Sequence, residues 1–376
     1  MDDVIVVGGG IVGASAAYHL ARAGARVTLV DRADAGQATA AGAGIISPGT
    51  SFKSPEPFFA LGLPASAYYA PLLAQLAEDG ETETGYAVVG ILHLALDDEE
   101  AQRLDQLEAL FRERHAAGFP HIGTVTQLGA DQARALFPAL GALSSALHTS
   151  GGARVDGRLL RDALKRAAQR HGARIVASEA ALVRHATRTV TVHLDGATLA
   201  AGAVLLAGGA WSAAQADALG FALPVFPQRG QILHLTLPDV NTAQWPIIEG
   251  FHSHYLLTFP GGRVVAGATR ESNTGFDVRM TASGVSEALG EALRVAPGLG
   301  GATLHEVRVG LRPASPDGLP ILGRAPGLEN LYLATGHGPS GLQLGPYSGV
   351  LVADLALGRP APLDLTPLAP ERFAAR

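Results

Sequence analysis

The sequence predicts an α/β fold, α+β overall. It reads as a Rossmann-like dinucleotide-binding domain interrupted by a discontinuous antiparallel-sheet domain. Three observations carry this. A strand–glycine–helix–strand unit fills the first 31 residues. Buried strands later in the chain close on glycines near residues 208 and 336. Between them, residues 231–268 alternate apolar and polar in the manner of antiparallel strands.

The first unit sets the pattern. Residues 4–7 form a short buried strand, and Gly8, Gly10 and Gly13 give G-x-G-x-x-G. Residues 11–23 carry Ala14, Ala17, Leu20 and Ala21 at helical spacing, and Gly24 can end that helix in the left-handed conformation. Residues 27–30 form the second strand, with Asp31 at its carboxyl end. The first glycine allows a tight turn, the second lets backbone approach a pyrophosphate, and the third lets helix and strand pack closely. The helix start offers unpaired N–H groups and the positive end of the helix dipole to phosphates. Asp31 can accept hydrogen bonds from a ribose hydroxyl pair and would repel a 2′-phosphate, which disfavours NADP. The motif does not separate NAD from FAD.

Residues 36–49 are almost all small. They read as backbone against which a flat ligand lies, with Ala43, Gly44 and Ile45 closest; a flexible loop is the alternative. In residues 51–150 the pattern predicts a helix over 66–78, a strand over 86–96, a long helix from a cap at Asp97 or Asp98 to about 117, and a short helix over 130–137 stopped by Pro138. No chemistry is evident there. Residues 158–171 read as a helix, 174–177 as a strand, and 182–184 with 189–194 as a strand pair. The buried strand that starts at Ala203 closes on Gly208 and Gly209, which suits a sheet edge facing a cofactor or, equally, a core strand and turn.

Residues 231–237, 254–259 and 263–268 read as antiparallel strands, with Pro260-Gly261-Gly262 as a hairpin turn, and 286–295 as a helix. His252 and His254 share one face of the strand read there. No acid or further histidine lies near them in sequence, so they read as polar or pocket-lining and no metal is assigned. Arg308 and Arg312 lie in a strand-like run ahead of Pro313, Pro316 and Asp317-Gly318. An arginine on rigid backbone among apolar residues needs an anion, and its planar fork matches a carboxylate. The bland alternative pairs Arg312 with Asp317. Finally, residues 331–358 repeat strand, glycine loop and helix, with the loop at 336–341 and the helix starting near Pro346.

Composition bounds the function. At 376 residues and 47% hydrophobic content the chain suits two packed domains. A net charge of −6 gives no basic footprint for nucleic acid. The absence of cysteine excludes disulfides, thiolate metal sites, a cysteine nucleophile and a cysteinyl-linked cofactor. The chain opens two residues before a core strand, leaving no room for a signal peptide. No apolar run reaches the roughly 18 residues of a membrane span. A cytoplasmic protein is expected, with peripheral membrane contact and homo-oligomers left open.

Taken together and in order, VVGGGIVG…VTLVD, AGAGIISP, VLLAGGAWS, FPQRGQILHL, GGRVVAGAT, VGLRPASPDGLPILG and ATGHGPSGLQLGP resemble the D-amino-acid oxidase family of flavoproteins, which includes glycine oxidase, D-amino-acid dehydrogenase and sarcosine oxidase. The resemblance runs end to end. It implies non-covalent FAD. It places Gly8, Gly10, Ile11, Val12 and Gly13 at the pyrophosphate, and Asp31 and Arg32 at the adenosine ribose. Val183 would sit at the adenine. Ala38, Thr39, Ala43, Gly44 and Ile45 would lie alongside the flavin, with Gly208 at the facing sheet edge. His337, Gly338, Pro339, Ser340, Gly341 and Leu342 would face the pyrimidine ring. Arg312 matches the family's carboxylate-holding arginine and Tyr255 a tyrosine that assists it.

The implied domains are 1–50, 151–215 and 305–376 for FAD, and 51–150 and 216–304 for substrate. The implied activity is oxidative deamination of a small amine carboxylate of the D-amino acid, glycine or N-methylglycine type. The neutral amine loses hydride to the flavin, leaving an imino acid that water hydrolyses to a 2-oxo acid and ammonia or amine, with no obligate protein base. Alternatives are a dehydrogenase of a secondary amine such as proline or hydroxyproline with a non-oxygen acceptor, and a nicotinamide-dependent Rossmann dehydrogenase. One departure stands out. Glycine oxidase has an arginine where this chain has Pro339, so the resemblance does not carry glycine over as substrate.

Overall fold

The first β–α–β unit forms where its pattern puts it: strand Asp2–Val7, helix Ile11–Arg22, strand Val27–Val30. The computed structural model describes residues 2–51, 54–194, 196–250 and 252–373. Asp2–Val7 lies at the centre of a six-stranded sheet, parallel to Val27–Val30 on one side and to Ala201–Leu206 on the other. Arg174–Val176 and Leu331–Thr335 extend the parallel pairing, and Ile321–Arg324 adds an antiparallel edge. Alternation along the central strand divides the core. Val4 and Val6 pack with the helices Ile11–Arg22, Gly157–Arg170 and Gly341–Ala356, whereas Ile5 and Val7 pack with the small sheet of residues 181–199.

The second sheet has eight strands in the order Thr303–Ala314, Phe226–Thr236, Arg263–Gly267, Tyr255–Phe259, Ile247–Glu249, Ile91–Ala95, Ser145–Thr149 and Val125–Leu128. Its pairing is antiparallel except between Ile247–Glu249 and Ile91–Ala95. Strands from two separate stretches of chain thus meet in one sheet. Thr303–Ala314, inside the last stretch the sequence assigns to FAD from residue 305 on, pairs along its length with Phe226–Thr236 and forms the edge of this second sheet.

Three local readings need correction. The helix read over 66–78 is two helices, Glu56–Ala67 and Tyr69–Glu78; Pro57 and Pro64 hid the first, and both prolines are accommodated, one in the first turn. The last long helix starts at Gly341 rather than near Pro346. Pro346 has no N–H for the Leu342 carbonyl, and the buried Tyr69 hydroxyl donates to that carbonyl instead, at 2.5 Å. His252 lies in a turn and His254 just ahead of strand Tyr255–Phe259, so neither is on a strand. They pair with Glu291 at 3.2 Å and Glu287 at 3.3 Å. Among the described residues no helix is long and apolar enough to cross a membrane.

Helices Ile11–Arg22 and Gly341–Ala356 cross at very close range. A Cβ on Gly349 would lie 2.7 Å from the Val12 carbonyl oxygen and from Ser15 Cβ. Backbone there cannot yield, so Gly349→Val should destabilise the protein by about 1–3 kcal/mol, read as a lowered denaturant midpoint at unchanged m-value. Four histidines give a pH dependence. Burial holds His19, His93, His234 and His337 down at a pKa of about 4, below the ordinary 6.5. The unfolded chain protonates them below pH 6.5 while the folded one does not. Stability is therefore whole above that pH and should fall as pH drops towards 4. Each group contributes at most about 1.4 kcal/mol per pH unit, checked by denaturant titrations across that range.

Candidate active site

Both sheets border one cavity of about 860 Å³, towards the upper end of the roughly 300–1,000 Å³ range of ligand sites. On the parallel-sheet side, Gly8 turns at φ +104, and a Cβ there would lie 2.3 Å from the Ala207 carbonyl oxygen. Gly13 does not line the cavity; it packs on the Gly8 carbonyl, where a Cβ would come to 1.9 Å. This is the packing role of the third glycine. Gly9, which the motif leaves unspecified, also lines the cavity, and a Cβ on it would strike the Asp31 carboxylate at 2.5 Å. Gly10 caps helix Ile11–Arg22 without a side-chain bond. The Ile11 amide donates to Thr39 Oγ1 at 3.0 Å, and Ile11 and Val12 line the cavity. The first-turn amides beyond Ile11 are the ones that can take an anion.

Asp31 and Arg32 reach the same cavity. Asp31 accepts from Lys165 Nζ at 3.1 Å and Gln37 Nε2 at 3.0 Å. Burial raises its pKa, but the Lys165 charge and hydrogen bond outweigh this and hold it below the usual carboxylate range. Arg32 pairs with Asp34 at 2.8 Å and Glu179 at 2.6 Å. Sequence reading missed Lys165, which lies 134 positions away from Asp31. Val183, expected at the adenine, does not line the cavity; Ser178, Glu179 and Ala180, just before its strand Ala181–Arg184, do. The strand turns Val183 into the small three-stranded sheet.

Ala38, Thr39, Ala43, Gly44 and Ile45 line the middle of the cavity, opposite Gly208 and the loop His337–Leu342. Gly44 sits at φ +91 with its α-carbon against the Val155 carbonyl, so only glycine fits. His337 is buried, and its Nε2 lies 3.0 Å from Ser348 Oγ. Its low pKa makes it a neutral structural group near pH 7. Helix Gly341–Ala356 begins without a side-chain cap, and Gly341, Leu342 and Gln343 line the cavity. A second helix start therefore faces the same space.

The antiparallel sheet supplies Arg312, from strand Thr303–Ala314, and Tyr255, from Tyr255–Phe259. Arg312 is half-buried and lines the cavity. Its guanidinium lies across Gly230, where a Cβ would come to 2.4 Å from Nη2. Nη1 donates to the Thr269 carbonyl at 3.0 Å and more weakly to that of Arg229 at 3.4 Å. No carboxylate lies within ion-pair distance of Arg312 among the described residues. Asp317, the internal partner considered from sequence, instead pairs with Arg372 at 2.7 Å. Arg308 is likewise paired, with Glu306 at 2.7 Å. Burial lowers the Arg312 pKa from its ordinary value, with Tyr255 and Glu271 countering. The cation that remains is one that an entering anion would stabilise.

Two further lining residues escaped sequence reading. Gly230 lies just ahead of the strand read over 231–237 and was not singled out; it falls inside strand Phe226–Thr236, where a glycine signals close approach of another group. Arg270 follows strand Arg263–Gly267 and extends to the cavity, its Nη1 donating to the Ser253 carbonyl at 3.0 Å.

Comparison with known proteins places this geometry. The family model described as FAD dependent oxidoreductase (DAO) matches residues 3–355. An uncharacterized oxidoreductase, YurR, of Bacillus subtilis (strain 168) is 42% identical over 98% of this chain and 99% of its own length. Glycine oxidase of Geobacillus kaustophilus (strain HTA426) is 32% identical over 100% of this chain and 98% of its own. The crystal structure of iminodiacetate oxidase (IdaA) from Chelativorans sp. BNC1 superimposes with a TM-score of 0.94 at 43% identity, covering 98% of each chain. The nicotinamide alternative is thereby set aside. With the family model spanning residues 3–355 and relatives of 42% and 32% identity along nearly its whole length, the chain belongs to the FAD-dependent oxidoreductases of the DAO family.

Proposed function

We propose that this protein oxidises the bond between nitrogen and the α-carbon of a small amine carboxylate, with Arg312 holding the carboxylate. One observation supports the reading: a guanidinium that lines the cavity with no carboxylate within ion-pair distance among the described residues. The names of the relatives support it, since glycine and iminodiacetate are both small amine carboxylates.

FAD, when bound, supplies the two-electron acceptor for the α C–H bond. The chain's residues do the rest. Amides at the start of helix Ile11–Arg22 would hold the pyrophosphate, beside Gly8 and Gly10, and Asp31 with Arg32 would hold the adenosine ribose. Gly44 and Ile45, with Ala38, Thr39, Ala43 and Gly208, would lie alongside the ring. The amides that open helix Gly341–Ala356 would stabilise negative charge on the bound cofactor. Arg312 grips the carboxylate, Tyr255 donates a hydrogen bond to it, and the grip fixes the α-carbon against the ring. Fixing that geometry is the protein's main catalytic contribution. No side chain is assigned as base; His337 hydrogen-bonds Ser348 and is held neutral.

Purified protein should release FAD on denaturation, and its flavin absorbance should bleach anaerobically with amine carboxylates. A panel of iminodiacetate, N-methylglycine, glycine, D-amino acids and proline, each beside its decarboxylated amine, tests this. Bleaching by the amines as readily as by the acids would overturn the reading. Arg312→Met should lower kcat/KM at least ~100-fold while FAD stays bound. Gly230→Ala, which displaces the guanidinium without removing it, should cost roughly 10- to 100-fold, chiefly in KM. Unchanged kinetics in both variants would remove Arg312 from the substrate.

A further inference from the structure

We propose that Lys165 is a positioning residue for the cofactor: its ammonium holds Asp31 against the glycine turn, aims one carboxylate oxygen at the adenosine ribose, and thereby sets how tightly and how selectively the chain holds FAD. The inference depends on the family assignment and goes beyond the amine-carboxylate reading, since no substrate enters it.

Leu160, Leu164, Ala167 and Ala168 bury helix Gly157–Arg170 against the first β–α–β unit. Lys165 lies at the edge of this contact, and its Nζ donates to Asp31 Oδ2 at 3.1 Å. Only 19% of the lysine side chain and 11% of the aspartate are exposed, so water screens this pair less than it screens an ion pair on an outer surface. The charges beside Lys165 on the helix are engaged elsewhere: Arg161 bonds Asp162, and Arg166 pairs with Glu81. The ammonium also meets the glycine turn. A Cβ on Gly9 would come to 2.6 Å from Lys165 Nζ and 2.5 Å from Asp31 Oδ2. Gly9 lines the cavity and Lys165 does not, so the lysine acts on the ligand through Asp31. A compact ammonium suits the narrow space beside Gly9, whereas a planar guanidinium needs more room. The chain places one of its two lysines here, although arginine is its usual cation.

Counting acceptor positions shows what the pairing does. A carboxylate offers about four, two on each oxygen. On Asp31, Oδ1 accepts from Gln37 Nε2 at 3.0 Å and from the Ala33 amide at 3.3 Å, and Oδ2 accepts from Lys165. The position that remains is on Oδ2, the oxygen at the Gly9 turn, and a ribose hydroxyl would take it. Lys165 therefore fixes the atom that the ribose meets. It also keeps that atom charged. Burial favours the neutral carboxyl, and the Lys165 charge leads the influences that oppose it. Without the lysine, the hydrogen bonds from Ala33 and Gln37 are left to oppose burial. A carboxyl that takes up a proton is a weaker acceptor than the anion, by about half, and is free to turn. Arg32 cannot substitute, because Asp34 and Glu179 hold it.

Flavin 2′-deoxyadenosine dinucleotide is FAD without the adenosine 2′-hydroxyl, so comparing the two isolates the ribose contact. Each is titrated into the full-length chain after its flavin has been removed, and binding is read from flavin fluorescence. The unaltered protein should prefer FAD by at least about 10-fold. Lys165→Met should weaken FAD by a similar factor, leave the deoxy analogue unchanged and so bring the ratio of the two affinities close to one. Lys165→Arg, which keeps the charge, should restore part of the ratio. Gly9→Ala, whose methyl parts the two groups without removing either charge, should flatten the ratio as Lys165→Met does. A lysine that merely braced the helix would, when replaced, weaken both dinucleotides alike. Equal binding of the two by the unaltered protein, or a ratio that survives both Lys165→Met and Gly9→Ala, would therefore overturn the proposal. Turnover plays no part in these measurements: an FAD preference that needs Lys165, in a protein whose flavin no amine bleaches, would leave the lysine in its role and remove the oxidation.

Discussion

A cation that no carboxylate among the described residues neutralises governs the site. Arg312 meets carbonyl oxygens, from Thr269 and Arg229, which carry only partial charge and satisfy one of its nitrogens. Acids are not scarce nearby: Arg229, its neighbour across the sheet, takes both Glu271 and Asp277. The fold thus spends its local carboxylates on the structural arginine and leaves the cavity-facing one open. Gly230 completes the arrangement, since any side chain there would occupy the plane of the guanidinium. Held in this way, the fork loses little further freedom when an anion arrives, which is the advantage of arginine over lysine at such a position.

Where that cation stands relative to the nucleotide segments depends on how the two sheets are joined. Strand Thr303–Ala314 is the joint. The Leu311 amide donates to the Gly36 carbonyl at 2.8 Å, and Gln37 bridges to Leu311 in parallel fashion. Gly310 approaches Ala41 so closely that a Cβ would come to 2.8 Å of it. The segment of residues 36–41, which leaves the first β–α–β unit, is therefore fastened one residue from Arg312. On its other side, Gly42 and Gly157 make room for Leu342, at the start of helix Gly341–Ala356. Small residues set these spacings throughout, and this is the physical content of the near-featureless sequence AGAGIISP.

Legibility in the sequence followed the range of the interaction. The first β–α–β unit, the strand ending at Gly208 and the glycine loop at 336–341 were readable because their signals are local: a period, a turn residue, a helix start. Arg312 was readable as a candidate because a charge in an apolar strand is anomalous on its own terms. What stayed hidden depends on distant partners. Lys165 reaches Asp31 only when helix Gly157–Arg170 packs against the first unit, and Gly230 matters only because Arg312 lies over it in the neighbouring strand. The start of helix Gly341–Ala356 was misplaced because Pro346 usually marks a boundary; no local rule foresees a tyrosine hydroxyl 273 residues away replacing its missing N–H. Val183 stands off the cavity for a related reason, since it pairs with Thr191 within the three-stranded sheet.

Charges around the cavity are sorted by position, and the sorting argues for how the site discriminates. Where the ribose is expected, every ionised group has a partner of opposite sign: Asp31 with Lys165, Arg32 with Asp34 and Glu179. Such a wall offers hydrogen bonds at little net charge, suited to a ligand part that is polar but neutral. At the other end Arg312 and Arg270 have no carboxylate within ion-pair distance among the described residues, so their charge is not matched group by group as it is at the ribose end. Preorganised charge of this kind needs no rearrangement on binding, so an anion meets it at full strength, whereas a neutral amine of the same size gains nothing from it and a cation is repelled. On the proposed reading, selection against carboxylate-free amines would be a property of the cavity before substrate enters, and a contact from Tyr255 would refine a choice that Arg312 has already made.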